Sequence, residues 1–347
     1  MWTGVLNGQL FANVFEEADG TVLLTDYDYY NIHTLSSNTQ VWTKHFITKG
    51  YFNGVATSSD GLKIFVAVPG MQDGSKSQIS MSTDSGTTWA DTAVSPARTC
   101  FTSIAASSSG MTVIAYGRKA QMTISTDGGA SWHSPTKGPT DDSITKGQAM
   151  GAISLSGDGT RAAVTSGLDP HIEYICSTKM FWGVSGLKMF TPDLGYIHTS
   201  SDSGLTWAIT TAPAAHWMSV ASSSDGLKLA AVVWSGGIYI STDSGGSWTL
   251  TSATTQQWIS IASSSDGSRL FAGVFDGGLY LSTNGGTLWS QLTSAPTNSW
   301  ARVESSADGS ELVALSTTGS QAAKGGAWIS FDSGDTWTKI ASEKEAV

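Results

Sequence analysis

Two neighbouring stretches decide how this chain is read. The first runs Trp217-Met-Ser-Val-Ala-Ser-Ser-Ser-Asp225-Gly226, continues from Leu227 to Trp234, and ends Ile238-Tyr-Ile-Ser-Thr-Asp243-Ser-Gly245-Gly-Ser-Trp248. The second runs Trp258-Ile-Ser-Ile-Ala-Ser-Ser-Ser-Asp266-Gly267, then Ser268 to Phe275, then Leu279-Tyr-Leu-Ser-Thr-Asn284-Gly-Gly286-Thr-Leu-Trp289. Trp217 and Trp258 lie 41 residues apart. A period of that length marks propellers and solenoids.

Each copy reads as four strands, A to D. Strand A holds the Trp-x-Ser-Val/Ile-Ala segment. Asp-Gly makes the A–B hairpin, because glycine supplies the positive φ of a tight turn. Strand B is the apolar run typified by Leu229 to Val233, and Gly236-Gly237 or Gly277-Gly278 marks the B–C hairpin. Strand C is Ile238-Tyr239-Ile240, and strand D begins at the following Trp. Such a unit cannot bury both its faces alone and needs like neighbours on each side. The A–B glycines are Gly20, Gly61, Gly110, Gly159, Gly226, Gly267 and Gly309, and the strand-D tryptophans are Trp42, Trp89, Trp132, Trp207, Trp248, Trp289 and Trp337. The two sets alternate without a break. The expected fold is therefore all-β: a single seven-bladed β-propeller of four-stranded antiparallel blades, spanning 1–347. The blades fall near 10–47, 51–94, 100–137, 149–212, 217–253, 258–294 and 300–341, with an insertion at 167–194 in the fourth. No stretch holds a 3.6-residue apolar period, which excludes a helical solenoid. Trp2-Thr-Gly-Val-Leu6 resembles an extra strand D. It fits either a closing strand or a trimmed longer array.

Composition narrows the partners. Charged residues make up 13% of the 347, and net charge is −10. With no basic stripe, nucleic acid is excluded as a partner. No apolar run reaches the ~18 residues of a membrane span, so no membrane insertion is expected. Met1 to Phe15 lacks the basic start and apolar middle of a signal peptide, although the weakly charged, Ser/Thr/Gly-rich composition favours an extracellular or cell-surface setting. A monomer without cofactor or metal is expected. Cys100 and Cys176 either pair or stay as lone thiols.

The C–D turns carry the pattern Ser-x-Asp-x-Gly-x-x-Trp at Asp84, Asp127, Asp202, Asp243 and Asp332, with Asn284 in a sixth copy. This pattern resembles the Asp-box (BNR-repeat) β-propeller superfamily over nearly the whole chain, in particular its uncharacterised repeat proteins. The resemblance implies a structural role for these six residues, away from ligands. One carboxylate per loop is also too few for Ca²⁺. The superfamily includes sialidases, but the Phe/Tyr-Arg-Ile-Pro motif is absent. The only arginines are Arg98, Arg118, Arg161, Arg269 and Arg302, and no Tyr–Glu nucleophile pair can be assigned. Two-propeller xyloglucanases need a second ring, and the photosystem II assembly factor resembles a more basic protein.

Propeller geometry puts the A–B and C–D turns on one face and the D–A and B–C loops on the other, where ligands are expected. The second set varies in length and carries the unusual residues, as function-bearing loops do. Candidate ligand-binding residues there are Tyr27, Tyr29 and Tyr30; Arg98 and Arg118; His171, Glu173 and Trp182 of the insertion; His216, Trp234, Gln257 and Asp276. Strand A opens on an aromatic residue or Met in every copy, including Trp217, Trp258 and Trp300. These rings suit either inter-blade packing or a circle of stacking platforms for sugars. Arg302 and Glu304 replace Ser and Ala of the two preceding copies, as a salt bridge or as a functional spot near the channel. No Ser-His-Asp triad or zinc spacing is found. The expected function is non-catalytic recognition of carbohydrate or protein. One alternative is a polysaccharide hydrolase or lyase using a pair among Asp26, Asp28, Asp141, Asp142, Glu173, Asp276 and Glu304. The other is an assembly scaffold.

Overall fold

The computed structural model describes residues 11–16, 22–26, 31–35, 42–46, 54–68, 78–92, 101–117, 122–139, 150–166, 194–316 and 326–340. All the regular structure among them is β. Strands β1 (Phe11–Glu16), β2 (Val22–Asp26), β3 (Asn31–Leu35) and β4 (Trp42–Phe46) form one antiparallel sheet in chain order. β5 (Gly54–Thr57), β6 (Ile64–Val68), β7 (Gln78–Ser82) and β8 (Ala90–Asp91) form the next. β9 (Phe101–Ala106), β10 (Val113–Gly117) and β11 (Met122–Ser125) make a sheet of three. Its expected fourth strand shrinks to one bridge between Ile124 and His133. Pro135 follows closely, and proline has no N–H with which to extend a ladder.

β12 (Met150–Leu155), β13 (Ala162–Ser166), β14 (Ile197–Ser200) and β15 (Ala208–Ile209) again form four strands. The next two repeats hold β16 (Trp217–Ser222), β17 (Leu229–Gly236), β18 (Ile238–Ser241) and β19 (Thr249–Leu250), then β20 (Gln256–Ser263), β21 (Leu270–Val274), β22 (Leu279–Ser282) and β23 (Ser290–Gln291). They are not separate sheets. β17 overruns its hairpin and pairs with β20, placing Trp234 opposite Gln257 and Gly236 opposite Gln256. β24 (Trp300–Ser305), β25 (Leu312–Ser316), β26 (Gly326–Ser330) and β27 (Thr338–Ile340) complete the order.

The first strand of each repeat lies against the first strand of the next: β1 by β5, β5 by β9, β9 by β12, β12 by β16, β16 by β20 and β20 by β24. β24 and β25 then lie against β1, so the succession closes. This is a β-propeller. Its hydrophobic cores sit between consecutive sheets rather than within them. One joins Ala262, Phe271 and Leu279 to Trp300, Val303 and Leu312. Another joins Ala56, Phe65 and Ile79 to Phe101, Ile104 and Val113. Strand B is covered on both sides, so β6, β10, β13, β21 and β25 are buried at every position. That explains why strand B reads as an unbroken apolar run instead of alternating.

A backbone belt crosses the seams on the A–B side. Ser59 N–H donates to Ser108 O, Ser108 to Gly157, Gly157 to Ser224, Ser224 to Ser265 and Ser265 to Ala307, at 2.7–2.9 Å. Cations reinforce it. Arg161 Nη1 reaches Asp225 O at 3.1 Å, Lys228 Nζ reaches Asp266 O at 2.7 Å and Arg269 Nη1 reaches Gly309 O at 3.0 Å. Glycine at the A–B turn meets two demands at once. Gly226 has φ +69°, and a Cβ there would stand 2.7 Å from Arg161 Cβ.

Candidate functional site

The two faces form by different local chemistry. On the A–B/C–D side, each Asp-type turn is built around a buried serine. Ser241 Oγ donates to Asp243 Oδ1 at 2.8 Å and accepts from Gly245 N–H at 2.8 Å. Asp243 then accepts Ser247 N–H on Oδ1 and Ser247 Oγ on Oδ2, at 2.8 and 2.7 Å. In the other five turns the indole of the following Trp donates to the turn glycine, as Trp207 Nε1 does to Gly204 O at 2.7 Å, whereas the Trp248 N–H makes no such bond. The same bonds recur at Asp84, Asp127, Asp202 and Asp332. Asn284 keeps the inner half of the set. Their carboxylates are engaged by their own turns.

Bonding of this kind favours the charged carboxylate. The Ser131 hydroxyl and N–H pull Asp127 down to about 2, and the Ser247 hydroxyl and N–H do the same for Asp243. A second staple, which the sequence reading missed, lies at the A–B turns. Ser264 Oγ donates to Asp266 Oδ1 at 2.7 Å, and Ser268 N–H donates to the same oxygen at 2.9 Å. The Ser268 N–H and Ser264 hydroxyl hold Asp266 at about 2. The recurring Ser-x-Asp-Gly was the available signal, since a buried serine two residues before Asp matches the C–D pattern. Arg161 and Arg269 belong to this face.

The B–C turns and D–A loops meet on the opposite side. Gly195 bridges Ala215, and Gly277 bridges Asn298. Trp234 N–H donates to His216 O at 2.9 Å, and Phe275 N–H donates to Gln257 O at 2.9 Å. In the B–C hairpins the left-handed residue is Ser235 (φ +53°) or Asp276 (φ +50°), not the glycines that follow. Gly236 serves close approach instead: a Cβ there would sit 2.8 Å from Cβ of buried Val233.

The candidates separate cleanly here. Trp217, Trp258 and Trp300 are buried, at 2%, 0% and 0% exposure. Trp217 packs edge-on to Tyr239 at 5.3 Å, and Trp258 packs edge-on to Tyr280 at 5.0 Å. Trp217 Nε1 donates to Pro213 O, and Trp258 Nε1 donates to Thr254 O. A stacking platform needs an open ring face, and these rings have none. The three tryptophans leave the ligand set and join the inter-sheet core, as does Phe101 at 1% exposure.

Trp234 remains, half-buried, with its ring centroid 5.6 Å from that of Phe275. Phe275 was absent from the sequence-based set. It occupies the position of Trp234 in the next repeat, so aligning the two copies would have found it. Around this aromatic pair stand half-buried His216, exposed Gln257 and exposed Asp276, whose carboxylate is bonded by the Ser299 hydroxyl. Arg302 and Glu304 form an ion pair at 3.0 Å on β24, with side chains 34% and 24% exposed. Burial pushes the Glu304 carboxyl above its usual range, and the adjacent Arg302 guanidinium offsets part of that push. Tyr27, Tyr29, Tyr30, Arg98, Arg118, His171, Glu173 and Trp182, and both cysteines, lie outside the described residues. Among the described residues no three His, Cys, Asp or Glu side chains converge.

The chain matches no protein-family description and no curated protein. Solved structures do resemble it. A GH74 xyloglucanase from Xanthomonas campestris is 15% identical, with a TM-score of 0.68 over 97% of this chain, which spans 55% of that one. YCF48 from Cyanidioschyzon merolae is 12% identical, with a TM-score of 0.63 over 98% of this chain and 97% of that one. The β-propeller domain of Cps50 (Swd1) from Myceliophteria thermophila is 11% identical, with a TM-score of 0.65 over 91% and 96%. At these identities the likeness is one of fold.

Proposed function

We propose that the chain is a seven-bladed Asp-box propeller with the blade limits given above, acting as a monomeric recognition module. It binds a protein or carbohydrate, without turning it over, on the face made by the D–A and B–C loops. The observation that carries this reading is the Trp234–Phe275 pair. Two aromatic rings in contact, both partly open, sit on the variable face at the seam where β17 and β20 are hydrogen-bonded together. Partly open aromatics on a rigid frame are the usual anchors of binding surfaces, because they offer area at little cost in entropy. Gln257, His216 and Asp276 supply polar groups at the edge. The Asp-type carboxylates face the other way and are occupied by their own turns, which supports a purely structural role for them.

A glycan array and a peptide array, run beside a polysaccharide-hydrolysis screen, test the proposal. Binding without released sugar is expected. Trp234→Ala should weaken it by about tenfold or more, while the melting temperature changes little. Released sugar, or binding indifferent to Trp234→Ala, would overturn it.

The part-exposed Arg302–Glu304 pair on β24 is the feature from which a second reading, a polysaccharide hydrolase, would start. Glu304 has its proton affinity raised by burial, and a general acid requires that. On this reading Glu304→Gln abolishes sugar release. On the recognition reading there is no release to abolish.

A further inference from the structure

The sixth Asp-type turn departs from its sisters at three positions, and the departures meet at a cleft. Asn284 stands where five sister turns carry Asp. Gly285 stands where four of them carry Ser. Leu288 stands where all five carry Ser or Thr. In the sister turns that hydroxyl occupies the outer carboxylate oxygen, as Thr206 Oγ1 does on Asp202 Oδ2 at 2.6 Å. Leu288 offers no hydroxyl. Asn284 Oδ1 still accepts from Ser282 Oγ and Leu288 N–H, at 3.0 and 2.9 Å, so its Nδ2 donors are not used by the turn.

Gly285 opens the space. In the preceding repeat Ser244 Oγ donates to Gly226 O at 3.0 Å and closes the equivalent seam. Only about 10 Å³ remains there, between Arg161, Leu229 and Ser244. At Gly285 a Cβ would meet nothing nearer than Gly267 O at 3.6 Å. The seam widens into a cleft of about 320 Å³. Gly128, the glycine at this place in the Asp127 turn, leaves no such opening, because Lys63 Nζ and Met111 Sδ stand 3.3 Å from where its Cβ would be. Short Ser268 occupies the place of Met111 here.

The cleft is floored by half-buried Ile240, with Leu229 and Leu270 beneath it at 5% and 3% exposure, and has an uncharged polar rim of Thr242, Ser268 and Asn284. Lys228 is the only charged residue lining it, and its Nζ is held by Asp266 O at 2.7 Å. We propose that this cleft binds an uncharged saccharide ring. Its volume falls at the lower end of the ~300–1,000 Å³ typical of ligand pockets. That suits a small ligand and not a protein segment. Aliphatic floor and hydroxyl-amide rim match the C–H face and hydroxyl edge of a sugar. Charge decides against the other small ligands. Anions would find a single cation, Lys228, already bonded to Asp266 O, and no second one. Cations would find Lys228, and an amide in place of the sister turns' carboxylate. The site lies on the face opposite Trp234 and is independent of the ligand face proposed above.

Methyl-detected NMR on the Leu- and Ile-labelled full chain tests it. The probes are neutral trisaccharides of glucose, mannose, xylose and N-acetylglucosamine, with a galacturonate trisaccharide for comparison. At least one neutral sugar should shift the Leu229, Ile240 and Leu270 methyl signals in a saturable way, and the uronate should not. Gly285→Ser installs the residue that four sisters hold at φ of +53 to +59°, so the fold tolerates it. It should weaken that binding by about tenfold or more, a loss of roughly 1.4 kcal/mol. Trp234→Ala should leave it unchanged. The proposal is overturned if no neutral sugar moves these methyls, if the uronate binds as well, or if Gly285→Ser binds like the parent.

Discussion

At the scale of the residue, the turns explain themselves. Five pair a buried serine with an Asp, half-buried at Asp84 and Asp202 and exposed at Asp127, Asp243 and Asp332, and the Asp is charged because its partners are all donors. Asp127, Asp243, Asp266 and Asp308 sit at about 2 when folded. An unfolded Asp titrates near ~3.9. A folded pKa below the unfolded one gives stability that is present above the unfolded value. It is lost as pH falls through the folded value. The melting temperature should therefore hold steady down to about pH 4 and fall between about pH 4 and pH 2. A calorimetric series across that range checks this, and a flat profile would contradict it. Ser241 offers a sharper test. It is 3% exposed and satisfies the Gly245 N–H. Ser241→Ala leaves that donor buried and bare, at a cost of about 1–3 kcal/mol in urea unfolding.

The position of the C–D turns was legible in the sequence because a turn of fixed geometry accepts few residues at each place, but the serine at the centre of each was not read. Which residues line a seam was not legible. Asn284 and Gly285 were visible as departures from the repeat, but a cleft is a property of two modules and of the space between them. Leu229 and Ile240 come from one repeat, Leu270 and Gly285 from the next.

At the scale of the element, strand A and strand B divide the work. An aromatic residue opening strand A fits a core or a stacking platform equally well by pattern alone. Only the seam decides, and Tyr239 and Tyr280 cover the tryptophans. Trp258→Ala should cost about 3–5 kcal/mol and lower binding only as far as it unfolds the protein. Trp234→Ala should do the reverse, which urea titration and binding assays on the same two variants will separate. Four A–B turns are followed by a cation, at Lys63, Arg161, Lys228 and Arg269. Each works as a clasp between modules. Arg269 Nη1 bonds Gly309 O and Ser333 Oγ, at 3.0 and 2.6 Å. Arg269→Ala should cost about 1–2 kcal/mol, measured as a lower urea midpoint. The merged sheet of β17 and β20 was not legible, because its pairing depends on how far a hairpin overruns and not on residue type.

At the scale of the whole molecule, the repeat count and alternation implied a ring, and the strand contacts bring β1 to β24 and β25. Closure is what gathers the D–A and B–C loops onto one face and gives every apolar strand B two neighbours. Native-state hydrogen exchange followed strand by strand tests this most directly. In a closed ring the amides of β1, β2 and β25 exchange as slowly as those of β17 and β21, by one shared opening. Protection that declined steadily toward both ends of the repeat array would describe an open stack and contradict the account.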